Sequence, residues 1–386
     1  MDVVRIGLIG TGGMGSNHIG YLTRGEVPGA QLAAICDTSP EQLAKARTSV
    51  GEGVRSFEDA EELFVANVVD AVIIATPHYF HPPLAIKAFE HNLHVMSEKP
   101  AGVYTRQVRE MNEAAGRSGN VFGLMFNQRT LGQHQKLKEL VQSGELGEIR
   151  RTNYLITSWF RAQSYYDSGG WRATWAGEGG GVLANQCPHN LDLWQWICGM
   201  PTRVRAFCGF GKYHNIEVED DVTAYVEYEN GATGVFITTT GEAPGTTRLE
   251  ISGDKGKLVM EDGNLTLWQN RTPSDQFCRE WKGGFGSPET WKCEIPFTAG
   301  GEEHIGITKD WVNAILTGKA LLAPGIEGIN GVQLSNAMLL SSWTDDWVDI
   351  PVDEDLYYEH LQERIKNSSV NKDPSQSNSM DVTGTF

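Results

Sequence analysis

Residues 3–37 read VVRIGLIGTGGMGSNHIGYLTRGEVPGAQLAAICD. Val3–Ile9 is a short apolar run ending in glycine, which predicts a strand. Gly10-Thr11-Gly12-Gly13-Met14-Gly15 follows it directly and matches G-x-G-x-x-G. A helix through about Arg24 comes next, then a second strand over Gln31–Cys36. Glycines in this arrangement serve a tight turn, a close approach of backbone to pyrophosphate, and helix–strand packing. The N-terminus of the following helix presents unpaired N–H groups to phosphate. Asp37 closes the second strand, 22 positions after Gly15, where a carboxylate can accept hydrogen bonds from ribose hydroxyls. Strand, loop, helix and acid together predict a dinucleotide-binding fold. Thr38, Ser39 and Pro40 follow Asp37 with no Arg or Lys. A 2′-phosphate there would meet a carboxylate without a balancing base, so the reading is NAD in preference to NADP.

Strand and helix go on alternating outward from this stretch. Pro40–Ser49, Ser56–Ala66, Pro82–His91 and Thr105–Gly116 read as helices, with Ser39 as an N-cap and Pro40 at the first helical position. Val69–Ala75, Leu93–Ser97 and Val121–Phe126 read as strands. This alternation predicts an α/β Rossmann domain, a doubly wound parallel sheet, over residues 1–126. After the helix Thr130–Ser143 the pattern changes, and strands follow one another from about Ile149 to Trp159 and from Arg203 onward. Val222–Glu227 and Thr233–Thr239 flank Asn230-Gly231, a hairpin signal. Arg248–Ser252, Lys257–Glu261 and Leu265–Gln269 continue the meander. Residues 127–366 are therefore expected to form an α+β domain with a large, mostly antiparallel sheet, with helices again at His304–Leu316 and Gly328–Ser342. Residues 367–386 are rich in Ser, Asn and Asp and are expected to be a disordered tail.

Composition narrows the class. Acids outnumber bases 49 to 32, a net charge of −17. This balance argues against nucleic-acid binding, which needs a basic footprint. The apolar stretch Val68–Ala75 is far too short to span a bilayer. With an N-terminus that reads as a strand, this predicts a cytoplasmic protein without membrane association. The six cysteines stand singly with no CxxC pair, which suits buried thiols in a reducing compartment.

Further along stand Ala75-Thr76-Pro77-His78, then His81, then Glu98-Lys99-Pro100 at the end of the fifth strand. With the glycine loop, these residues resemble the glucose–fructose oxidoreductase/inositol dehydrogenase family, written Gfo/Idh/MocA. The resemblance continues through Gly123–Arg129, Trp171-Arg172, Gly179–His189, Glu219–Asp221 and Gly253–Leu258. It implies an oxidoreductase in which Lys99 lies near the nicotinamide and the reacting hydroxyl. It also implies that Thr76, Pro77 and His78 pass under the cofactor and that Asn127 contacts its nicotinamide side, with His81 and Glu98 as further candidate cofactor-binding residues. His189 is the implied histidine of the active-site helix. Two departures stand out: the family usually has asparagine at the His78 position, and many members have aspartate at the Asn185 position. An amide cannot relay a proton.

Alcohol oxidation needs a hydride acceptor, which nicotinamide supplies, and a base for the hydroxyl proton. Gly179–Gly181 is expected to lead into a helix reaching Cys198. On it Asn185, His189 and Asp192 would share one face by their spacing, which makes them, with Lys99, the candidate catalytic set. A histidine beside Cys187, Pro188 and Leu191 reads by default as a core residue, and the family context moves it to catalysis. His189 is the expected base, because an imidazole titrates nearest neutrality, and Lys99 the donor that steadies the alkoxide. The spacing alone also fits a metal site, but no further ligand cluster completes one, so none is expected.

Trp159, Phe160, Tyr165, Tyr166, Trp171, Trp175, Trp194 and Trp196 fall within 38 positions. Such faces suit the C–H faces of a sugar ring or serve as plain core packing. Arg161, Trp171, Arg172 and Trp175, with Lys99, Asn185 and His189, form the expected substrate set. The expected activity is oxidation of a secondary hydroxyl of a sugar, cyclic polyol or glycoside. Two alternatives are an enzyme that retains NAD and cleaves glycosides with no net redox, and a non-catalytic NAD-binding regulator. The open antiparallel sheet predicts a homodimer or homotetramer.

Overall fold

The computed structural model describes residues 2–368 and 370. Among them the chain begins β1 (Val4–Ile9), α1 (Gly13–Thr23), β2 (Ala30–Cys36), α2 (Pro40–Arg47), β3 (Arg55–Phe57), α3 (Ala60–Val65) and β4 (Ala71–Ile74). It continues α4 (His81–Glu90), β5 (His94–Ser97), α5 (Thr105–Ser118) and β6 (Phe122–Leu124). The strands form one parallel sheet in the order β3-β2-β1-β4-β5-β6, the doubly wound order that reverses beside β1. Ser39 caps α2 through Gln42 N, with Pro40 at its first position. The helix expected over Ser56–Ala66 is divided. Residues 55–57 pair with β2, and Asp59 caps α3 by accepting from Glu61 N and Glu62 N.

The second part runs α6 (Gly132–Gln142), β7 (Ile149–Ile156), α7 (Gln163–Asp167), α8 (Pro188–Cys198), β8 (Arg203–Phe210), β9 (Glu219–Glu227) and β10 (Thr233–Thr239). Then come β11 (Thr247–Gly253), β12 (Gly256–Glu261), β13 (Asn264–Asn270), α9 (Ser274–Glu280) and β14 (Thr290–Glu294). The described part closes with α10 (Glu303–Thr317), α11 (Gly328–Thr344), β15 (Val348–Asp349) and α12 (Glu354–Lys366). Nine of these strands make one sheet, ordered β14-β13-β12-β11-β7-β10-β9-β8-β15. All its pairings are antiparallel except β7 with β10. The β9–β10 hairpin turns at Asn230-Gly231 as expected, with Gly231 at φ 82°.

Two apolar cores result, one around each sheet. Ile307, Trp311 and Val312 of α10 belong to the first core, so the chain returns to the Rossmann part well after residue 126. Among the described residues no helix is long and apolar enough to cross a membrane. Beyond residues 367, 368 and 370, the expectation of a disordered tail lies outside the described residues.

Candidate active site

The glycine loop lies at the carboxyl end of β1 and opens α1. A Cβ on Gly15 would stand 2.0 Å from the Gly10 carbonyl oxygen, so only glycine lets the helix approach this closely. A Cβ on Gly12 would meet nothing within 4 Å, which leaves an open cradle at the helix N-terminus. No acid occupies the first turn of α1, so nothing opposes a phosphate there. Asp37 Oδ2 accepts from Thr11 N at 2.7 Å and Thr11 Oγ1 at 2.9 Å, and Oδ1 accepts from Ser39 N at 2.9 Å. The carboxylate is thereby fixed beside the loop. Further along the sheet edge, Thr76 Oγ1 and Asn127 Oδ1 are buried without hydrogen-bond partners. Cradle, fixed acid and orphaned polar atoms fit a dinucleotide lying across β1, β4 and β6.

His81 joins two of these edge loops. Its Nδ1 lies 2.8 Å from the Pro100 carbonyl oxygen and its Nε2 lies 2.7 Å from that of Thr76. His78 Nδ1 lies 3.2 Å from the Glu178 carbonyl oxygen, and its ring meets Trp171 edge-on at 5.6 Å. Burial holds His78 well below the ordinary imidazole pKa. Glu98, expected on the cofactor side, turns inward instead, with Oε1 2.8 Å from His18 Nε2. Burial alone would raise its carboxyl, but the His18 contact and nearby positive charge pull it down to about 2. His18 also contacts Tyr21, whose hydroxyl lies 2.8 Å from Thr308 Oγ1. This network ties the loop of Lys99 to α1 and α10. Sequence reading passed over it, although His18 stands three residues beyond the glycine motif.

Lys99 precedes a cis peptide bond to Pro100 and donates from Nζ to the Asn185 carbonyl oxygen at 3.0 Å. Burial holds its pKa below the usual lysine value, opposed by Glu98 and Glu178. Across from it, α8 begins only at Pro188, so Asn185 lies in the preceding turns and not on the helix with His189. The distant Glu219 explains this. Its Oε1 accepts from Gly181 N at 2.9 Å and Leu183 N at 3.0 Å, which draws those amides out of any helix. A Cβ at Gly181 would stand 1.9 Å from the Glu219 carbonyl oxygen. Burial pushes the Glu219 carboxyl up to about 7.

His189 is 6% exposed, and both ring nitrogens lack hydrogen-bond partners. Burial first, then the charge of Lys99, hold it well below the ordinary imidazole pKa. The near-neutral titration expected of it is therefore not retained. Asp192 shares its helix but turns to Arg129, accepting from Nη2 at 2.6 Å and Nε at 2.8 Å, and also accepts from Gln195. It does not orient His189.

Of the expected substrate set, Arg172 Nη1 donates to Tyr165 Oη at 2.6 Å, and its guanidinium lies over the Tyr165 and Trp171 rings. Arg161 lies over Trp159 and Tyr165. These residues form a half-buried aromatic and cationic wall. Trp175 does not share this setting: it is 4% exposed, packed against Trp343 and Phe210 in the core.

Residues 4–126 match the family described as "Oxidoreductase family, NAD-binding Rossmann fold", and residues 134–259 match the "GFO/IDH/MocA C-terminal domain". The chain belongs to the Gfo/Idh/MocA oxidoreductase family. Within this family, it is 30% identical to D-glucoside 3-dehydrogenase of Escherichia coli over 59% of this chain and 68% of that one. It is 25% identical to levoglucosan dehydrogenase of Pseudarthrobacter phenanthrenivorans over 91% of this chain and 99% of that one. Among solved structures it resembles the WlbA dehydrogenase of Chromobacterium violaceum in complex with NADH and UDP-GlcNAcA. The TM-score is 0.78 at 28% identity, covering 92% of this chain and 97% of that one. The Gfo/Idh/MocA reading made from the glycine loop, E-K-P and the glycine triplet is thus borne out, as is the two-part fold.

Proposed function

We propose that this enzyme oxidises a secondary hydroxyl of a sugar, cyclic polyol or glycoside to a ketone, with NAD as the acceptor. The observation that carries the reading is His189: a buried imidazole with two unpartnered nitrogens, near enough to Lys99 for the ammonium charge to act on it. The glucoside and levoglucosan dehydrogenases among its relatives support a sugar ring as substrate. Gly10, Thr11, Gly12, Gly13, Met14 and Gly15 would hold the pyrophosphate, Asp37 the ribose, and Thr76 and Asn127 the nicotinamide side. Bound NAD supplies the acceptor for the hydride that leaves the carbinol carbon. The hydroxyl proton passes to an unprotonated nitrogen of His189, while the Lys99 ammonium donates to the same oxygen and favours its alkoxide form. Trp171, Arg172 and Arg161 present a ring face and hydrogen-bond donors to the rest of the substrate. A panel of sugars, inositols and glycosides incubated with NAD is expected to yield NADH absorbance with at least one member. Substrate turnover without NADH accumulation would replace this reading with a non-redox one.

Cofactor choice follows from Asp37. A 2′-phosphate would approach a carboxylate held by three hydrogen bonds, with no Arg or Lys among the residues that follow it, Thr38, Ser39 and Pro40. NAD is therefore expected to exceed NADP in kcat/KM by at least about tenfold, on the order of 1.4 kcal/mol. Asp37→Ala should narrow that ratio. Equal use of both cofactors by the unaltered enzyme would refute the assignment.

A further inference from the structure

Glu178 immediately precedes the glycine triplet and is 1% exposed. Its Oε2 accepts from the Ala173 backbone at 2.6 Å. Its Oε1 accepts from the side-chain amide of Asn185 and stands 3.8 Å from Arg172 Nη1. Asn185 in turn accepts the Lys99 ammonium on its main-chain carbonyl at 3.0 Å. The main-chain carbonyl of Glu178 lies against His78. Glu178 thus holds the side chain of Asn185, whose main chain holds Lys99.

We propose that Glu178 is a positioning residue of this site: its carboxylate, and not the neutral side chain at position 185, supplies the negative charge on the Asn185 side of Lys99 and fixes the segment that holds the ammonium. The proposal rests on the reading of Lys99 as the group that steadies the substrate oxygen. Charge balance supports it. The carboxylates acting on Lys99 are Glu98 and Glu178, and the opposing cations are Arg172 and Arg161. Glu98, the larger influence, is held between His18 and the Lys99 backbone amide, and Glu178 is the carboxylate joined to the Asn185 segment. The imidazoles around Lys99, those of His78, His81, His189 and His304, are all held below their ordinary pKa by burial and do not replace it. Without the Glu178 charge only Glu98 is left to oppose burial and the two arginines, and Lys99 gives up its proton at lower pH.

Competitive acetylation of the full chain with acetic anhydride across a pH series, read at Lys99 by mass spectrometry, tests this without substrate or cofactor. In Glu178→Gln, which keeps the side-chain shape and the acceptor for Ala173 N, the midpoint of Lys99 labelling should fall by about 1 on the pH scale. In Glu178→Gln/Asn185→Asp it should return towards the parent value, because a carboxylate at 185 occupies the neighbouring end of the same hydrogen bond. Arg172→Gln should move the midpoint the other way. An unchanged or raised midpoint in a folded Glu178→Gln variant overturns the proposal. If that variant does not fold, an unchanged midpoint in Arg172→Gln overturns it instead. Since no turnover is measured, a failure of the sugar-oxidation reading leaves this outcome untouched.

Discussion

His189→Ala is expected to lower kcat by at least about 10²-fold, the lower end of what a positioned general base contributes, with NAD affinity changed only a few-fold. Lys99→Ala should cost as much, because no other ammonium donates to the Asn185 segment among the described hydrogen bonds. Both losses belong in kcat more than in cofactor binding, since among the described residues neither side chain is hydrogen-bonded to the glycine loop or Asp37. The pH dependence separates the two roles. A base that must be unprotonated makes kcat/KM rise with pH through its own ionisation. Burial and the Lys99 charge depress that ionisation in His189, so the rising limb should lie below about pH 6.5, the ordinary imidazole value. A donor that must stay charged gives a falling limb, and burial moves that of Lys99 below the ordinary lysine value. His189→Ala should abolish the rising limb and leave the falling one. Near-normal turnover in His189→Ala, with an unchanged circular dichroism spectrum, would make His189 a core histidine and Lys99 the base.

The parts of this site that a sequence shows plainly are those governed by neighbours. The glycine loop, the acid at the end of β2 and the hairpin at Asn230-Gly231 are local backbone requirements, and each stands where it was expected. The short strand at residues 55–57 was hidden because three residues carry too little pattern, although Asp59 is a capping signal within reach. What spacing could not reveal were contacts between distant positions. The helix expected from Gly179 starts at Pro188 because Glu219, 38 positions beyond Gly181, takes the intervening amides. The parallel pairing of β7 with β10 depends on the order in which the sheet is laid down. Glu178 adjoins the triplet, yet nothing in the order of residues marks it as the partner of Asn185. Asp192 has the right interval from His189 for a shared face, but its rotamer follows a guanidinium 63 positions away.

That last pairing sets the second large effect, this time on stability. Arg129 and Asp192 have side chains only 1% and 2% exposed, and their two parallel hydrogen bonds form the bidentate geometry that a guanidinium and a carboxylate share. Arg129 is also bonded to Glu327 at 2.6 Å and to the Leu322 carbonyl oxygen at 3.0 Å, with Phe126 and Trp196 against its plane. One guanidinium thus joins the end of the Rossmann part, α8 and the segment before α11. Asp192→Ala leaves that charge buried with Glu327 as its remaining carboxylate, and removing one member of a buried pair costs about 3–5 kcal/mol. The expected result is a large drop in denaturation midpoint, measured by urea titration, with kcat of the folded fraction lowered far less than in His189→Ala. Arg129→Met should be milder than Arg129→Ala, because a flexible apolar chain fills part of the space between Phe126 and Trp196. If Asp192→Ala instead keeps its midpoint and loses turnover about 10²-fold, Asp192 acts in the chemistry after all, and the ion pair is incidental to the fold.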